Sequence, residues 1–267
     1  MRKNITQLIV ILALLLSGCQ GKQILQNHQD YKTAIKEKQQ PPTSFYPISF
    51  SVVQLGDSLT EGVGDIHKIG GYTSYLTELL NTERGVNDVE FLNYGKRGNR
   101  SDQLLKRIQT TPEIKHAVGH ADVAIITIGG NDVMASFKKN MLHLEMEKFK
   151  EAEVGYSTTL EEIIQTVREY NDEIYIILVG IYNPFSKWFS SIKEMDEITE
   201  NWNQTSVSIL SQFDNTTFVP VADIFDNHEE ELLHTDFFHP NNTGYERMAQ
   251  RIFEYIQKED IVKEIRE

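Results

Sequence analysis

Three side chains in two distant segments have the types and spacing needed for nucleophilic chemistry. Ser58 follows the strand-like run VVQLG, and Asp236 and His239 lie three positions apart near the C-terminus. A serine hydroxyl becomes a good nucleophile when a histidine accepts its proton, and a carboxylate fixes the tautomer of that histidine. We therefore predict Ser58 as a nucleophile, His239 as its base and Asp236 as the residue that orients the base.

Attack on an ester or amide also creates an oxyanion, which requires hydrogen-bond donors that are already in place. Two further segments could supply them, GKRGNRS at residues 95–101 and GGND at residues 129–132. Backbone N–H groups of glycine-containing turns and an asparagine amide are suitable donors. We predict an oxyanion hole formed by the N–H groups of Ser58 and Gly98 and the side-chain amide of Asn131.

The segments that would position these residues alternate between apolar runs and amphipathic stretches. This alternation predicts an α/β domain in which helices cover both faces of a parallel sheet. In such sheets the loops after the strands meet at one rim, where ligands bind. Ser58, Gly98 and Asn131 each follow a different predicted strand and would converge there. The five predicted strands are ISFSVVQLG, VEFLNYG, ADVAIITIGG, EIYIILVGI and TTFVPVADI.

Taken together, these segments resemble the four sequence blocks of the GDSL/SGNH hydrolases. The resemblance runs from about residue 50 to the C-terminus, and its motifs occur in the family's order: GDSL at residues 56–59, a glycine in NYGKRG, GGND, and DFFH at residues 236–239. It implies a three-layer α/β/α, flavodoxin-like fold with a five-stranded parallel sheet. It also implies hydrolysis of esters or thioesters by a Ser-His-Asp triad through an acyl-enzyme, without a metal or cofactor.

The second motif departs from the family around its glycine. The family pattern Asn-x-x-x-x-Gly, counted from Asn93, selects Gly98 as the donor and leaves Gly95 as a turn residue. Arg97 and Arg100 flank Gly98, where the family often has small residues. These arginines would either favour an anionic group on the substrate or contribute only surface charge.

Several less specific interpretations compete with this one. Ser58 alone could cap the helix that follows it. His228 and His234 lie near His239, but their spacing matches no familiar zinc motif, so we predict no metal site. The glycines at 62–64 and 70–71 lack the Lys-Ser/Thr of a phosphate loop and indicate loop flexibility. The substrate could be an O-acetyl group on an envelope polysaccharide, or the protein could be a non-catalytic lipid- or glycan-binding lipoprotein.

Two stretches could shape a substrate site. Residues 134–156 place an aromatic and a methionine on one helical face, and an aromatic-rich run follows the fourth strand. Methionine and aromatic surfaces accommodate varied acyl chains, although such a stripe is often ordinary core. A lid over the acyl chain and a core helix therefore both remain open. The candidate substrate contacts are Phe137, Met141, Tyr182, Phe185 and Trp188.

The N-terminal region differs from the rest of the chain. Two basic residues precede an apolar run that is too short for a comfortable membrane span and ends in Leu16-Ser17-Gly18-Cys19. This tetrapeptide resembles the lipobox of bacterial lipoproteins, which are cut before a cysteine that carries diacylglycerol. We expect lipidation at Cys19 on the extracytoplasmic face of the membrane. The expected regions are a signal peptide at 1–18, the lipidated cysteine and a flexible tether at 19–47, and the hydrolase domain at 48–267.

Composition restricts the possible partners. The net charge of −13 argues against nucleic acid, because phosphate binding requires clustered Lys and Arg. The same charge disfavours broad contact with anionic lipid, so the lipid anchor is the expected membrane contact. The expected substrate is a small-molecule or lipid ester. Nothing in the sequence predicts an oligomer, which favours a monomer.

Overall fold

A computed structural model describes residues 46–141, 143, 145–183 and 194–266 of the chain. Within them, five strands form one parallel sheet. In chain order the strands are β1 (Ile48–Gly56), β2 (Val86–Gly95), β3 (Val123–Thr127), β4 (Tyr175–Val179) and β5 (Thr216–Val219). Their spatial order is β2-β1-β3-β4-β5. The order of addition reverses between β1 and β3, and ligands bind at such switch points in doubly wound sheets.

The described helices lie in the connections between the strands and after β5. None of them is both long and apolar enough to cross a bilayer. They are α1 (Ser58–Glu61), α2 (Tyr72–Thr82), α3 (Ser101–Thr110), α4 (Pro112–Val118), α5 (Gly130–Asn140), α6 (Met146–Tyr170), α7 (Glu194–Leu210), α8 (Ala222–Phe225), α9 (Glu229–Leu232), α10 (Asn242–Lys258) and α11 (Ile261–Glu264).

The register of the strands brings their carboxyl ends to one level. Gly56 at the end of β1 pairs with Gly95 of β2 and with Thr127 of β3, and Thr127 pairs with Val179 of β4. Every residue of β3 and β4 is buried, as expected for parallel strands covered on both faces. The loops that follow four strands therefore start from a common rim.

Helices cover both faces of the sheet. On one face, Val53 and its neighbours pack in a core with α3 to α7, which includes the fully buried Trp202. On the other face, Val52 packs in a core with α2 and α8 to α11, which includes the buried Tyr72 and Tyr245. Adjacent residues of β1 thus face opposite layers, as the two-residue period of a strand requires. The predicted three-layer α/β/α fold is confirmed.

Several predicted boundaries differ from the structure. The predicted strand ADVAIITIGG ends at Thr127, and the last three residues of TTFVPVADI lie in α8. Helix α5 ends at Asn140, and α6 begins at Met146 and continues for 25 residues. The Asn140 side chain donates a 2.8 Å hydrogen bond to the Ser136 carbonyl, a local bond that competes with helix continuation. Met141 is the C-cap of α5 and keeps helical dihedral angles, so it lies one turn after Phe137 as predicted, although Phe137 is buried and Met141 is exposed.

Candidate active site

A sharp turn at the end of β1 fixes the position of Ser58. Gly56 has φ of +152°, and a Cβ there would lie 2.3 Å from the Thr127 carbonyl oxygen. Asp57 then caps α1 by accepting the Leu59 N–H at 3.0 Å. Ser58, the first residue of α1, is only 3% exposed. Because it stands in the first turn, its N–H has no intrahelical acceptor and can face a ligand.

The loop before α10 brings His239 to Ser58. The Nε2 atom of His239 lies 3.0 Å from Ser58 Oγ. Its Nδ1 atom lies 2.7 Å from Asp236 Oδ2, and Asp236 Oδ1 accepts the N–H groups of Phe238 and His239 at 3.0 Å each. The structure therefore brings together the three residues predicted as nucleophile, base and orienting acid.

The pKa of Asp236 suits this arrangement. Partial burial alone would raise the pKa of Asp236, but the hydrogen bonds from the His239 ring and the two backbone N–H groups outweigh it and lower the pKa below its ordinary value of 3.8. Asp236 thus remains a carboxylate at neutral pH, so it can hold Nδ1–H and leave Nε2 free to accept a proton.

Short backbone bonds hold this loop in shape. The His234 N–H donates to the His239 carbonyl at 2.7 Å, and Leu233 forms an isolated antiparallel bridge with Pro240. Asn241 caps α10 by accepting the Gly244 N–H at 3.0 Å. The position of His239 is therefore fixed by the start of a long helix.

Two of the three predicted oxyanion donors line one cavity, and the third does not. Asn131 stands in the first turn of α5, where its amide donates one hydrogen bond of 3.0 Å to the Asn99 carbonyl. Asn131 and Ser58 line a common cavity, whereas Gly98 is exposed in the loop between β2 and α3 and does not line it. Gly98 has φ of +76°, a conformation that favours glycine. The structure thus joins the Gly98 loop to Asn131 through Asn99.

Two carboxylates lie beneath the rim. Burial raises the pKa of Asp57 to about 7, although the Leu59 N–H and the Thr127 hydroxyl, 2.9 Å away, lower it in part. Burial likewise raises the pKa of Asp132 to about 6. Asp132 accepts the Ser101 hydroxyl at 2.6 Å and its N–H at 3.0 Å, so it ties α5 to the start of α3.

Sequence reasoning missed a chain of buried hydroxyls behind Asp57. The Thr127 hydroxyl lies 2.8 Å from that of Thr60, which lies 3.3 Å from the Tyr72 hydroxyl. If each hydroxyl donates toward Asp57, every member of the chain is satisfied. Isolated threonines carry no sequence pattern that indicates such a chain, because its members come from three different elements.

Sequence reasoning also missed the most heavily bonded carboxylate next to the site, Asp65. Its Oδ2 accepts three backbone N–H groups at 2.8–3.0 Å, and its Oδ1 accepts the Asn242 amide and the His67 N–H. The three N–H groups belong to Ile69, Gly70 and Gly71. The loop at 62–71, which we predicted to be flexible from its glycines, is therefore pinned to α10.

This loop packs directly against His239. A Cβ on Gly64 would lie 2.3 Å from the Pro240 carbonyl oxygen and 3.1 Å from the Cβ of His239, so only glycine allows the contact. The Tyr245 hydroxyl donates to the Val63 carbonyl at 2.7 Å. Glycine spacing and one acidic residue were the available sequence signals, but they do not reveal which N–H groups the carboxylate binds.

The predicted substrate contacts are distributed unevenly. Tyr182, 6% exposed, lines the cavity beside Ser58. Phe137, also 6% exposed, is packed in the core, and Met141, 60% exposed, lies at the end of α5; neither lines that cavity. Phe185 and Trp188 lie outside the described residues, as does Cys19.

The histidines considered for metal binding have other neighbours. His228 lies 3.5 Å from Glu231, and His234 Nδ1 lies 3.3 Å from the Thr235 hydroxyl. Across residues 46–266, wherever the structure describes them, no three His, Cys, Asp or Glu side chains are close enough to hold one metal ion.

Comparison with known proteins assigns this fold and these motifs to a family. Residues 55–247 match the profile of the GDSL-like lipase/acylhydrolase family. The chain belongs to this family. It is therefore an enzyme of the carboxylic ester hydrolase class, as the resemblance of its motifs implied.

Relatives and solved structures agree with this assignment. The chain is 33% identical over 266 residues to the uncharacterized protein YpmR of Bacillus subtilis, covering 99% of this chain and 100% of that protein. It is 30% identical over 209 residues to the spore germination lipase LipC of Bacillus licheniformis, covering 74% of this chain and 92% of that protein. The solved lipase Lip_vut3 from a goat rumen metagenome superposes with a TM-score of 0.69 at 25% identity, covering 76% of this chain and 95% of that one.

A further solved structure shows the same fold at lower identity. An acetylxylan esterase from Geobacillus stearothermophilus superposes with a TM-score of 0.59 at 19% identity, covering 79% of this chain and 96% of that one. The sheet and its surrounding helices are therefore shared across both lipases and acetyl esterases.

The raised pKa of Asp57 predicts a specific pH dependence of stability. An unfolded aspartate ionises near 3.8, whereas folded Asp57 ionises near 7, so its contribution to stability is complete below pH 3.8 and is lost as pH rises to 7. Asp57→Asn removes this contribution. Between pH 5 and pH 8 the wild type should lose about 2–3 kcal/mol more unfolding free energy than the variant, at ~1.4 kcal/mol per pKa unit. Urea unfolding at both pH values measures the difference; Asp88→Asn, at an exposed position, is the control.

The hydrogen bonds to Asp65 predict that it supports catalysis at a distance. Asp65→Asn replaces one acceptor oxygen by an N–H donor group, which must then face backbone N–H groups. We expect His239 to shift and kcat for p-nitrophenyl acetate to fall by about tenfold to 100-fold, because a misplacement of about 1 Å has that effect. Measurements are made where circular dichroism shows a folded variant. An unchanged kcat in that variant would mean that the loop does not position the base.

Proposed function

We propose that the protein is a serine ester hydrolase in which Ser58, His239 and Asp236 act as a catalytic triad. In the first step, His239 Nε2 takes the Ser58 proton as Oγ attacks the carbonyl carbon of the ester. A Ser58 Oγ–carbon bond forms. The bond from that carbon to the leaving alcohol then breaks, and His239 returns the proton to the alcohol oxygen. The product on the protein is an acyl-Ser58 ester.

Water completes the reaction by the same route. His239 takes one proton from water as the water oxygen attacks the acyl carbon. The Ser58 Oγ–carbon bond then breaks, and the proton returns to Ser58 Oγ. The carboxylic acid leaves, and the protein regains its starting state without an external oxidant, reductant or cofactor.

We assign the Ser58 N–H, the Gly98 N–H and the Asn131 amide to the oxyanion that forms in both steps. The Ser58 N–H has no intrahelical acceptor, because Ser58 lies in the first turn of α1. Asn131 donates one amide proton to the Asn99 carbonyl, and its second amide proton is available to the oxyanion. Losing one such donor typically lowers kcat by about 100-fold to 1,000-fold.

The observation that carries this proposal is the continuous pair of contacts from Ser58 Oγ to His239 at 3.0 Å and from His239 to Asp236 at 2.7 Å. A serine that only caps a helix does not need a histidine beside it. In α1 the capping bond comes from Asp57, which leaves the Ser58 hydroxyl to His239. This division of roles favours catalysis over the capping and non-catalytic interpretations.

Replacement of the nucleophile gives the direct test. Ser58→Ala should lower kcat for p-nitrophenyl acetate by at least about 1,000-fold, because the acyl-enzyme cannot form. Ser208→Ala, at an exposed position of α7, should keep wild-type activity. A fluorophosphonate probe should label the wild type and not the Ser58 variant. Turnover that survives Ser58→Ala would reject the triad.

We also propose that residues 1–18 are a signal peptide and that Cys19 carries the lipid that holds the enzyme on the extracytoplasmic face. The basis is the sequence Leu16-Ser17-Gly18-Cys19 after an apolar run. Two or more acyl chains anchor a protein stably, whereas one chain binds weakly and reversibly. The high negative charge of the chain makes a covalent anchor the more suitable membrane contact.

Substitution of the lipidation site tests this location. In a bacterial host given radiolabelled palmitate, the wild-type protein should carry label and sediment with membranes. Cys19→Ala should lose the label and no longer be retained as a mature membrane-bound form. Ser17→Ala, which keeps the cysteine and a small residue before it, is the matched control. Equal membrane retention and label in Cys19→Ala would exclude the anchor.

A further inference from the structure

A small cavity lies beside Ser58 at the carboxyl ends of β1, β3 and β4. Its volume is about 30 Å³. Ser58 and Asn131 line it, and the proposed reaction places the carbonyl group of the ester beside them. Asp57 and Thr127 are the other polar side chains of the described lining, and its apolar side chains are those of Leu59, Ile128, Val179, Ile181, Tyr182 and Phe238. An acyl group that enters the cavity would therefore meet mostly hydrocarbon side chains.

The size of the cavity limits what can enter. One water molecule needs about 10–15 Å³, and a cavity of about 150 Å³ holds a benzene-sized ligand. A cavity of about 30 Å³ therefore has room for one or two carbon atoms beyond the carbonyl. A longer chain would have to displace the walls or leave the cavity.

Tyr182 forms a wall that is held from two sides. Its ring lies 4.2 Å from the Phe225 ring, measured between centroids, and its hydroxyl donates to the Phe238 carbonyl. Burial raises the pKa of Tyr182 well above its ordinary value, so the hydroxyl keeps the proton that it donates. Movement of this ring would break a bond to the residue next to His239.

The adjacent wall is also fixed. Ile181 has both backbone polar groups bonded to the Asn203 side chain, its N–H to Oδ1 and its carbonyl to Nδ2, each at 2.9 Å. A Cβ on Gly180 would lie 2.6 Å from the Phe218 ring. The backbone that carries Ile181 therefore has little space in which to retreat. Extra methylene groups forced against such walls are therefore unfavourable.

We infer that this cavity is the acyl pocket and that its walls restrict the enzyme to esters of short acids, acetyl and propionyl. The inference rests on the proposed role of Ser58 as nucleophile. It names the acyl part of the substrate and leaves the alcohol part open. The residues that determine the restriction are Ile181 and Tyr182. Phe137 and Met141, which do not line the cavity, take no part in acyl selection.

A series of p-nitrophenyl esters from acetyl to octanoyl tests the inference on the wild-type protein. We expect kcat/KM to fall at least about tenfold between propionyl and butyryl, since one methylene in a fixed pocket changes kcat/KM by about 10–200-fold. Octanoyl hydrolysis as fast as acetyl hydrolysis would overturn the short-acyl restriction while leaving the triad intact. Absence of hydrolysis of every ester would instead reject the proposed function, and this inference with it.

Widening the pocket should extend the acyl range. Ile181→Ala should raise the ratio of butyryl to acetyl kcat/KM about tenfold. The ratio is used because the concentration of active enzyme cancels in it. Ile176→Ala removes the same atoms from a buried residue of β4 that does not line the cavity, so its ratio should stay at the wild-type value.

Two further variants complete the test. Val179→Ala is a second widening change, for use where Ile181→Ala does not fold. Tyr182→Phe keeps the ring wall and should keep the wild-type ratio, even if loss of its bond to Phe238 lowers kcat for every ester. A ratio that moves equally in Ile181→Ala and Ile176→Ala, or in neither widening variant, would contradict the assignment of the pocket.

Discussion

The contact between Ser58 Oγ and His239 Nε2 joins residues 181 positions apart in the sequence, and the rest of the site is built to maintain it. Neither residue is held by its partner alone. Ser58 is fixed by the turn at Gly56, and His239 by a loop that is bridged to itself and capped onto α10. The Asp65 carboxylate then ties the 62–71 loop to α10. Support on both sides fixes the distance across which we propose that the proton transfers.

The same region contains carboxylates of two kinds. Asp236 is partly exposed and its pKa is lowered by hydrogen bonds, whereas Asp57 and Asp132 are buried and their pKa values are raised. The pKa shifts differ in direction because hydrogen-bond donors outweigh desolvation at Asp236, whereas desolvation outweighs the donors at Asp57 and Asp132. Asp57 and Asp132 reach no imidazole; they hold the Ser58 turn and the start of α3. The three carboxylates therefore divide into one that is bonded to His239 and two that hold loops. The stability contributed by those two is lost as pH rises from 3.8 through their pKa values of about 7 for Asp57 and about 6 for Asp132.

The walls of the cavity connect substrate choice to the core. Val179 and Ile181 belong to β4 and its continuation, so the residues that would limit acyl length also pack the sheet. A solved lipase and a solved acetylxylan esterase share this fold. A change in acyl preference at these positions carries a change in packing, whereas a change in a peripheral loop does not. If the proposed pocket selects the acyl group, its selectivity is therefore coupled to the packing of the sheet.

The sequence by itself determined the layer architecture, the strands and the identities of Ser58, Asn131, Asp236 and His239 as a candidate set, because apolar periodicity and short motifs are local signals. Its prediction of the loop at 62–71 as flexible was wrong, since the bonds to Asp65 come from N–H groups whose direction depends on backbone conformation. The end of α5 at Asn140 coincides with a hydrogen bond from the Asn140 side chain to the Ser136 carbonyl, which hydrophobic periodicity does not indicate. Only the tertiary structure decided the raised pKa values, the hydroxyl chain behind Asp57 and the volume beside Ser58. These depend on burial and on contacts between residues tens of positions apart, and a linear pattern records neither.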